Sequence, residues 1–304
     1  MAIAVGIDLG ASNLRLGIVN EAGELLYSVK EPMNWHQPPS QIVQRLAALA
    51  TAAPQFSAVS GVGLAIAATV TPEGHIHTED ANFSLPPDFS LPEALSQALD
   101  RPVHVDNDAN MALWGEVCFG AAQGAKDVLL LTLGTGIGGG LLLDGRLRRG
   151  RRGVAGEVGL VQFNHPDGSG FAAVESFASP GALASRLGYP GAHLSDLAVH
   201  LNGRVKSLLS EMYDHIALLI INAHLLLDLE LVLLSGGFAE NGESLQKGVR
   251  SAVQHHMPLG MSRPQILLGA LPASTAGVIG AAGYWFTMNG QMAHLRPDAV
   301  GRNK

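Results

Sequence analysis

The chain has 304 residues, 47% of them hydrophobic and 15% charged, with a formal net charge of −7. That length suits two domains with a core each, and the composition excludes a disordered chain. The acidic balance, with basic residues gathered only at 146–152, argues against nucleic acid or an acidic membrane as main partner, and the single cysteine, Cys118, excludes an intramolecular disulfide or a thiolate metal cluster.

Residues 3–8, 14–19 and 24–30 predict three strands joined by short turns, with 21–23 as a hairpin loop. Apolar residues at helical spacing predict a helix over 39–53, and the continuous apolar run 61–67 a buried strand. A short amphipathic helix follows at 91–99, with Pro92 in its first turn, then a strand at 103–106 and a helix from Asp108 to about 119. Strands recur at 127–133 and 137–143, and Asp144-Gly145 is a strong hairpin signal. A helix over 194–227 is broken at Asn202-Gly203. A buried strand at 231–234 ends in Ser235-Gly236-Gly237, followed by a helix at 244–254, a short strand at 266–268 and a Gly/Ala-rich helix at 275–286. The apolar runs are too short for a membrane span and no charged leader precedes the first strand, so a cytoplasmic protein is expected.

The strand–Gly turn–strand pattern occurs twice. Asp8-Leu-Gly10-Ala11-Ser12-Asn13 joins the first pair of strands, and Thr132-Leu-Gly134-Thr135-Gly136-Ile-Gly138 joins the later pair. Such turns offer backbone N–H groups to phosphate oxygens, so two copies predict a duplicated fold with phosphate held in a cleft between the halves. Asp8 either holds Mg²⁺ through water or caps its turn. Asn107-Asp108 follows a strand and opens a helix, so Asp108 either accepts a proton from a substrate hydroxyl or serves the helix start. Glu157, flanked by Gly156 and Gly159, and Glu175 could each take two hydrogen bonds from sugar hydroxyls, or be ordinary loop and helix-start residues. Asn82 reaches the same place or fills a turn. Gly236-Gly237 lets an adenine or ribose lie against backbone, or simply turns strand into helix. His75-x-His77 and His255-His256 lack the company of a metal site.

Together these segments resemble the ROK family, named for repressors, open reading frames and kinases, whose members include glucokinases and hexosamine kinases. The resemblance rests on Gly6-Ile-Asp-Leu-Gly10, Asn107-Asp-Ala-Asn110, Leu131-Thr-Leu-Gly-Thr-Gly-Ile-Gly-Gly139, the ending Ala155-Gly-Glu-Val-Gly159, and Gly236-Gly237. It implies an actin-like (ribonuclease H-like) duplicated two-domain α/β fold with an interdomain cleft. The expected domains are 1–118 plus about 285–304, and 119–284. It implies ATP and Mg²⁺ as nucleotide and ion, with Asp108 as catalytic base and Asn82, Asn107, Glu157 and Glu175 on the sugar. Asp8, Gly10 and the turn 134–138 would serve the phosphates, and Gly236-Gly237 the adenosine. The implied reaction is phosphorylation of a glucose-like hexose at O6, with an amino sugar as the alternative acceptor. Family members are often dimers, but no pattern here marks an interface.

The chain departs from the family on the sugar side. Leu160 stands where the family has a zinc-ligating His, the segment 165–175 has no cysteine, and a Pro-Gly-Pro-like turn is replaced around 65–68. No structural zinc is therefore expected, and another means must order the loop carrying Glu175. A repressor is not expected, because the first strand begins by Ile3 and the charge is acidic. A non-catalytic sugar sensor is disfavoured by Asp8, Asp108 and both Gly turns.

Overall fold

The computed structural model describes residues 1–77, 85–86, 88–191, 203–292 and 294–295. In chain order the elements are β1 (Ile3–Leu9), β2 (Asn13–Asn20), β3 (Leu25–Pro32), α1 (Pro39–Ala52), β4 (Val59–Ile66), α2 (Leu91–Leu99), β5 (Val103–Asn107) and α3 (Asp108–Phe119). They continue with β6 (Val128–Leu133), β7 (Ile137–Leu143), β8 (Arg146–Leu147), β9 (Gln162–Asn164), β10 (Phe171–Ala173), α4 (Glu175–Ala178), α5 (Pro180–Arg186) and α6 (Gly203–Leu227). Last come β11 (Leu231–Ser235), α7 (Glu243–His256), β12 (Gln265–Leu268) and α8 (Ala276–Met288). The predicted elements appear with ends shifted by a few residues where they are described. The small hairpin β9–β10 and the short helices α4 and α5 were not foreseen. Residues 194–202 of the predicted long helix lie outside the described residues.

Contacts group the chain into two compact units. The first comprises Met1–Gln123, Gly145–Ala155 and the chain from Thr275; the second comprises Gly124–Asp144 and Gly156–Ser274.

The first unit holds a sheet of order β3-β2-β1-β4-β5, with β1 antiparallel to β2 and parallel to β4, and β4 parallel to β5. All seven residues of β1 are buried, so the strand reads as a continuous apolar run rather than an alternation. Ile42, Val43 and Leu46 of α1, spaced for one helical face, share a buried cluster with Leu91 and Leu95 of α2 and with Val5, Ile7, Leu9 and Leu64 of the sheet. Ser90 caps α2 by accepting from the Glu93 N–H, and Pro92 sits in the first turn where its missing donor costs nothing. Helix α8 meets the sheet backbone to backbone. A Cβ added to Gly63 would lie 1.8 Å from the Ala281 carbonyl oxygen, and one added to Gly6 would lie 2.0 Å from that of Val278.

The second unit repeats the plan. Its strands run in the order β12-β11-β6-β7, with β6 antiparallel to β7 and parallel to β11, and β11 parallel to β12. Met212, Ile216 and Ile220 of α6, and Leu245, Val249 and Val253 of α7, form one cluster with Leu129, Leu131, Val232 and Leu234. The hairpin after β7 turns at Asp144 (φ 54°) and Gly145 (φ 72°), the two left-handed residues that a tight hairpin of the correct twist requires.

Candidate active site

In the first unit, β1 delivers Asp8 to the end of the sheet beside the first Gly turn. The turn closes with the Gly10 N–H donating to the Asn13 carbonyl (3.0 Å), while Trp35 Nε1 donates to the Gly10 carbonyl (3.1 Å) and the Met33 N–H to that of Ser12 (3.0 Å). Ala11 and Ser12 at the tip are exposed. With the Gly10 and Ser12 carbonyls held by protein donors, fewer acceptor oxygens remain to repel a phosphate. Asp8 is 9% exposed and pairs with Arg15 (Nη1–Oδ2 3.1 Å). Burial pushes its carboxyl above the usual range, against the pull of the Arg15 charge and hydrogen bond. One carboxylate oriented by an arginine suits water-mediated contact with Mg²⁺, which keeps most of its waters.

Asn107 and Asp108 stand at the junction of β5 and α3. The Asn107 side chain accepts from the N–H groups of Ala109 (2.9 Å) and Asn110 (3.2 Å) as helix cap, and its Nδ2 donates to the Ala68 carbonyl (3.2 Å). Asp108 is half-buried as the first residue of α3, with Oδ1 2.8 Å from the Ala109 N–H. Beneath this junction lies a network that the sequence reading missed. Asp106, fully buried, receives Arg149 Nε on Oδ2 (2.6 Å), and on Oδ1 the Asn107 N–H (2.7 Å) and Asn110 Nδ2 (3.1 Å). Arg149 also donates to the Tyr284 hydroxyl (3.1 Å), and its guanidinium carbon lies 5.5 Å from that ring's centroid. Complete burial pushes the Asp106 carboxyl up, opposed first by the Arg149 charge. Arg149 sits in the basic run 146–152, which reads as solvated charge, yet it is only 4% exposed.

In the second unit, Thr132 and Gly138 face each other across β6 and β7, and the turn 134–136 joins the strands. Its carbonyls are taken up by the start of α5: Gly181 N–H donates to Gly134 O (3.0 Å) and Ser179 Oγ to Thr135 O (2.9 Å). Glu175 opens α4, and its Oε2 accepts from the Ile137 N–H at 3.1 Å. Gly136 and Gly159 make room for it, since an added Cβ would lie 2.5 Å and 3.0 Å from that oxygen. Glu175 is thus brought to the second Gly turn. Glu157, half-buried, precedes the single helical turn Val158–Leu160, and the Leu160 N–H donates to its carbonyl (3.2 Å). Leu160 is 54% exposed. Gly236 (φ 87°) ends β11 where a Cβ would lie 2.6 Å from the Leu133 backbone, whereas an added Cβ on Gly237 meets nothing within 4 Å. Asn82 lies outside the described residues. Among the described residues no group of three or more His, Cys, Asp or Glu is placed to share a metal ion, and no helix is long and apolar enough to cross a membrane.

A sequence profile of the ROK family matches residues 4–287. The bifunctional enzyme NanE/NanK of Brucella melitensis is 35% identical over 72% of this chain and 42% of its own length. The N-acetylmannosamine kinase of Vibrio cholerae is 30% identical over 84% of this chain and 92% of its own. The chain spans about half the length of the first curated relatives it matches. Among solved structures, a ROK family glucokinase from Streptomyces griseus in complex with glucose and AMPPNP superposes with a TM-score of 0.78 at 29% identity, covering 93% of this chain and 99% of that one. The fold is the actin-like two-domain α/β fold of these kinases. With the profile matched from the first strand to the last helix, the chain belongs to the ROK family.

Proposed function

We propose that this chain is an ATP-dependent sugar kinase that transfers the γ-phosphoryl group to a hydroxyl of a glucose-like hexose, at O6. The observation that carries the reading is the β5–α3 junction. It presents a carboxylate, Asp108, directly after the cap Asn107 and over a buried ion pair that holds the junction in place. In this reading Asp108 accepts the proton of the attacking hydroxyl while Asn82, Asn107, Glu157 and Glu175 hold the sugar by its other hydroxyls. Gly10, Ala11, Ser12 and Asn13 of the first turn, and Thr132, Gly134, Thr135, Gly136 and Gly138 of the second, bind the phosphates through backbone N–H groups. Gly236 and Gly237 lie against the adenosine. Mg²⁺, held through water by Asp8, would neutralise phosphate charge. A positioned base contributes about 10²–10⁴-fold in such transfers, and alignment and charge neutralisation supply most of the rest. The protein would act in the cytoplasm.

A second acceptor class, an N-acetylated hexosamine, is favoured by the likeness to the Vibrio cholerae kinase and by the exposed Leu160 and Val161 close after Glu157, which suit a less polar substituent. A coupled ADP-release assay over glucose, N-acetylglucosamine and N-acetylmannosamine decides between them. Asp108→Asn keeps shape and removes basicity, so kcat should fall at least about 10²-fold with sugar binding largely kept. Absence of ADP release with every sugar refutes the kinase reading, and a variant within threefold of wild type removes Asp108 as base.

A further inference from the structure

The carboxylate Glu175 is carried by an element that cannot orient itself. Helix α4 is four residues long, a single turn, far below the length at which a helix holds its own shape in water. Its roll about its axis must come from what the next residues touch. Two positions on, Phe177 is 2% exposed and lies between two imidazoles. Its ring centroid is 5.0 Å from that of His165 with the planes at 79°, and 4.9 Å from that of His215 at 77°. Phe163 of β9 extends the cluster, 6.4 Å from His215 at 77°. Edge-to-face geometry at these separations is the favourable arrangement of such rings, and it specifies orientation as well as contact.

Both imidazoles are fixed from outside α4. His215 belongs to α6, and its Nδ1 donates to the Glu211 carbonyl at 2.8 Å. His165 begins the β9–β10 turn. Its N–H donates to the Gly170 carbonyl (2.7 Å), its Nδ1 lies 2.6 Å from Asp167 Oδ1, and Asp167 in turn accepts from the Ser169 N–H (2.8 Å). The entry to α4 is tied as well, through the Val174 N–H on the Val161 carbonyl (2.9 Å). A continuous path therefore runs from the hairpin turn through His165 and Phe177 to α4, and from Glu175 Oε2 to the Ile137 N–H at the end of the second Gly turn.

We infer that the His165–Phe177–His215 stack is the positioning device for Glu175: it sets the roll of α4 and thereby holds the Glu175 carboxylate on the second Gly turn. The consequence for sugar binding rests on the kinase reading above; the consequence for the Ile137 amide does not. His165 and His215 are positioning residues here, acting through Phe177.

The test uses the full chain, labelled with ¹⁵N, and follows the Ile137 amide. Glu175→Gln sets the shift and exchange rate of that amide when the carboxylate bond is lost. His165→Ala removes one ring from a partly exposed position, and His165→Phe restores an aromatic edge without the imidazole. In His165→Ala the Ile137 resonance should move toward its position in Glu175→Gln and its protection from exchange should fall about three- to tenfold, the range a single edge-to-face pair supports. In His165→Phe both should return to within about twofold of wild type. With the sugar that the ADP-release assay identifies, KM should rise about three- to tenfold in His165→Ala, with kcat changed less, and recover in His165→Phe. An Ile137 amide unchanged in His165→Ala, or His165→Phe no better than His165→Ala, overturns the inference. Wild-type protein that turns over no sugar defeats the kinase reading alone, and the Ile137 amide still decides this one.

Discussion

Replacing Arg149 with Met should unfold the first unit far more readily than any loss of surface charge. The variant leaves Asp106 fully buried with two hydrogen-bond donors, the Asn107 N–H and Asn110 Nδ2, but no countercharge. It also removes the donor to the Tyr284 hydroxyl and the guanidinium beside that ring. Breaking a buried pair by removing one partner costs about 3–5 kcal/mol, because the surviving charge has neither water nor partner. All three tryptophans, Trp35, Trp114 and Trp285, lie in the first unit, so denaturant unfolding followed by tryptophan fluorescence reads that unit selectively. The pH dependence separates a lost charge pair from lost packing. Burial already raises the Asp106 carboxyl, and without Arg149 it rises further. A folded-state pKa above the unfolded one means that the folded protein takes up a proton which the unfolded chain, titrating near 3.9, has released. Stability of the variant is therefore greatest below about pH 4 and falls by about 1.4 kcal/mol per pH unit until the folded-state pKa is passed. Arg149→Met combined with Asp106→Leu should recover much of the loss and show no such slope. A single variant within about 1 kcal/mol of wild type, or a double variant less stable than the single, would refute the reasoning.

Three further outcomes follow from other parts of the molecule. Bonds from the Ser169 side chain and N–H, and then from His165, hold the Asp167 carboxyl down to about 2. Their contribution to the β9–β10 turn is present above the ordinary value of 3.8 and is lost as pH falls toward about 2; carboxyl ¹³C titration with a midpoint near 3.8 would contradict this. Burial raises the Cys118 thiol to about 12, so iodoacetamide at pH 8 should leave the native protein unlabelled and label it fully in denaturant. Gly63→Ala should destabilise the first unit by about 1–3 kcal/mol or more, since the new methyl would lie 1.8 Å from the Ala281 carbonyl oxygen; an unchanged fluorescence midpoint would show that α8 can withdraw without penalty.

Local features were legible wherever one stretch of chain decides its own structure. The hairpin at Asp144-Gly145 needs two left-handed residues, and Asn107 combines a preceding strand with a cap that suits only a helix start. What stayed hidden depends on residues distant in sequence. Arg149 and Asp106 are 43 positions apart, and nothing near Arg149 distinguishes it from the exposed Arg151 and Arg152 beside it. Glu175 reads as a helix-start residue, and so it is, but its bond to Ile137 spans 38 positions. The β9–β10 hairpin was missed because its strands are three residues each, too short for alternation to register. The grouping of Gly145–Ala155 with the first unit is likewise a matter of contacts, with no composition change to announce it.

The backbone-level seating of α8 on β1 and β4 has a consequence for synthesis. The first unit's sheet is complete once β5 has been made, yet the surface carrying Gly6 and Gly63 stays open until α8 emerges, after the whole second unit. During translation the second unit can close first, while the earlier-made sheet waits for its last layer. A nascent chain stalled at about residue 274 would then expose glycine-lined apolar strands, a surface for chaperones to cover, although every strand and helix of the second unit had already been made.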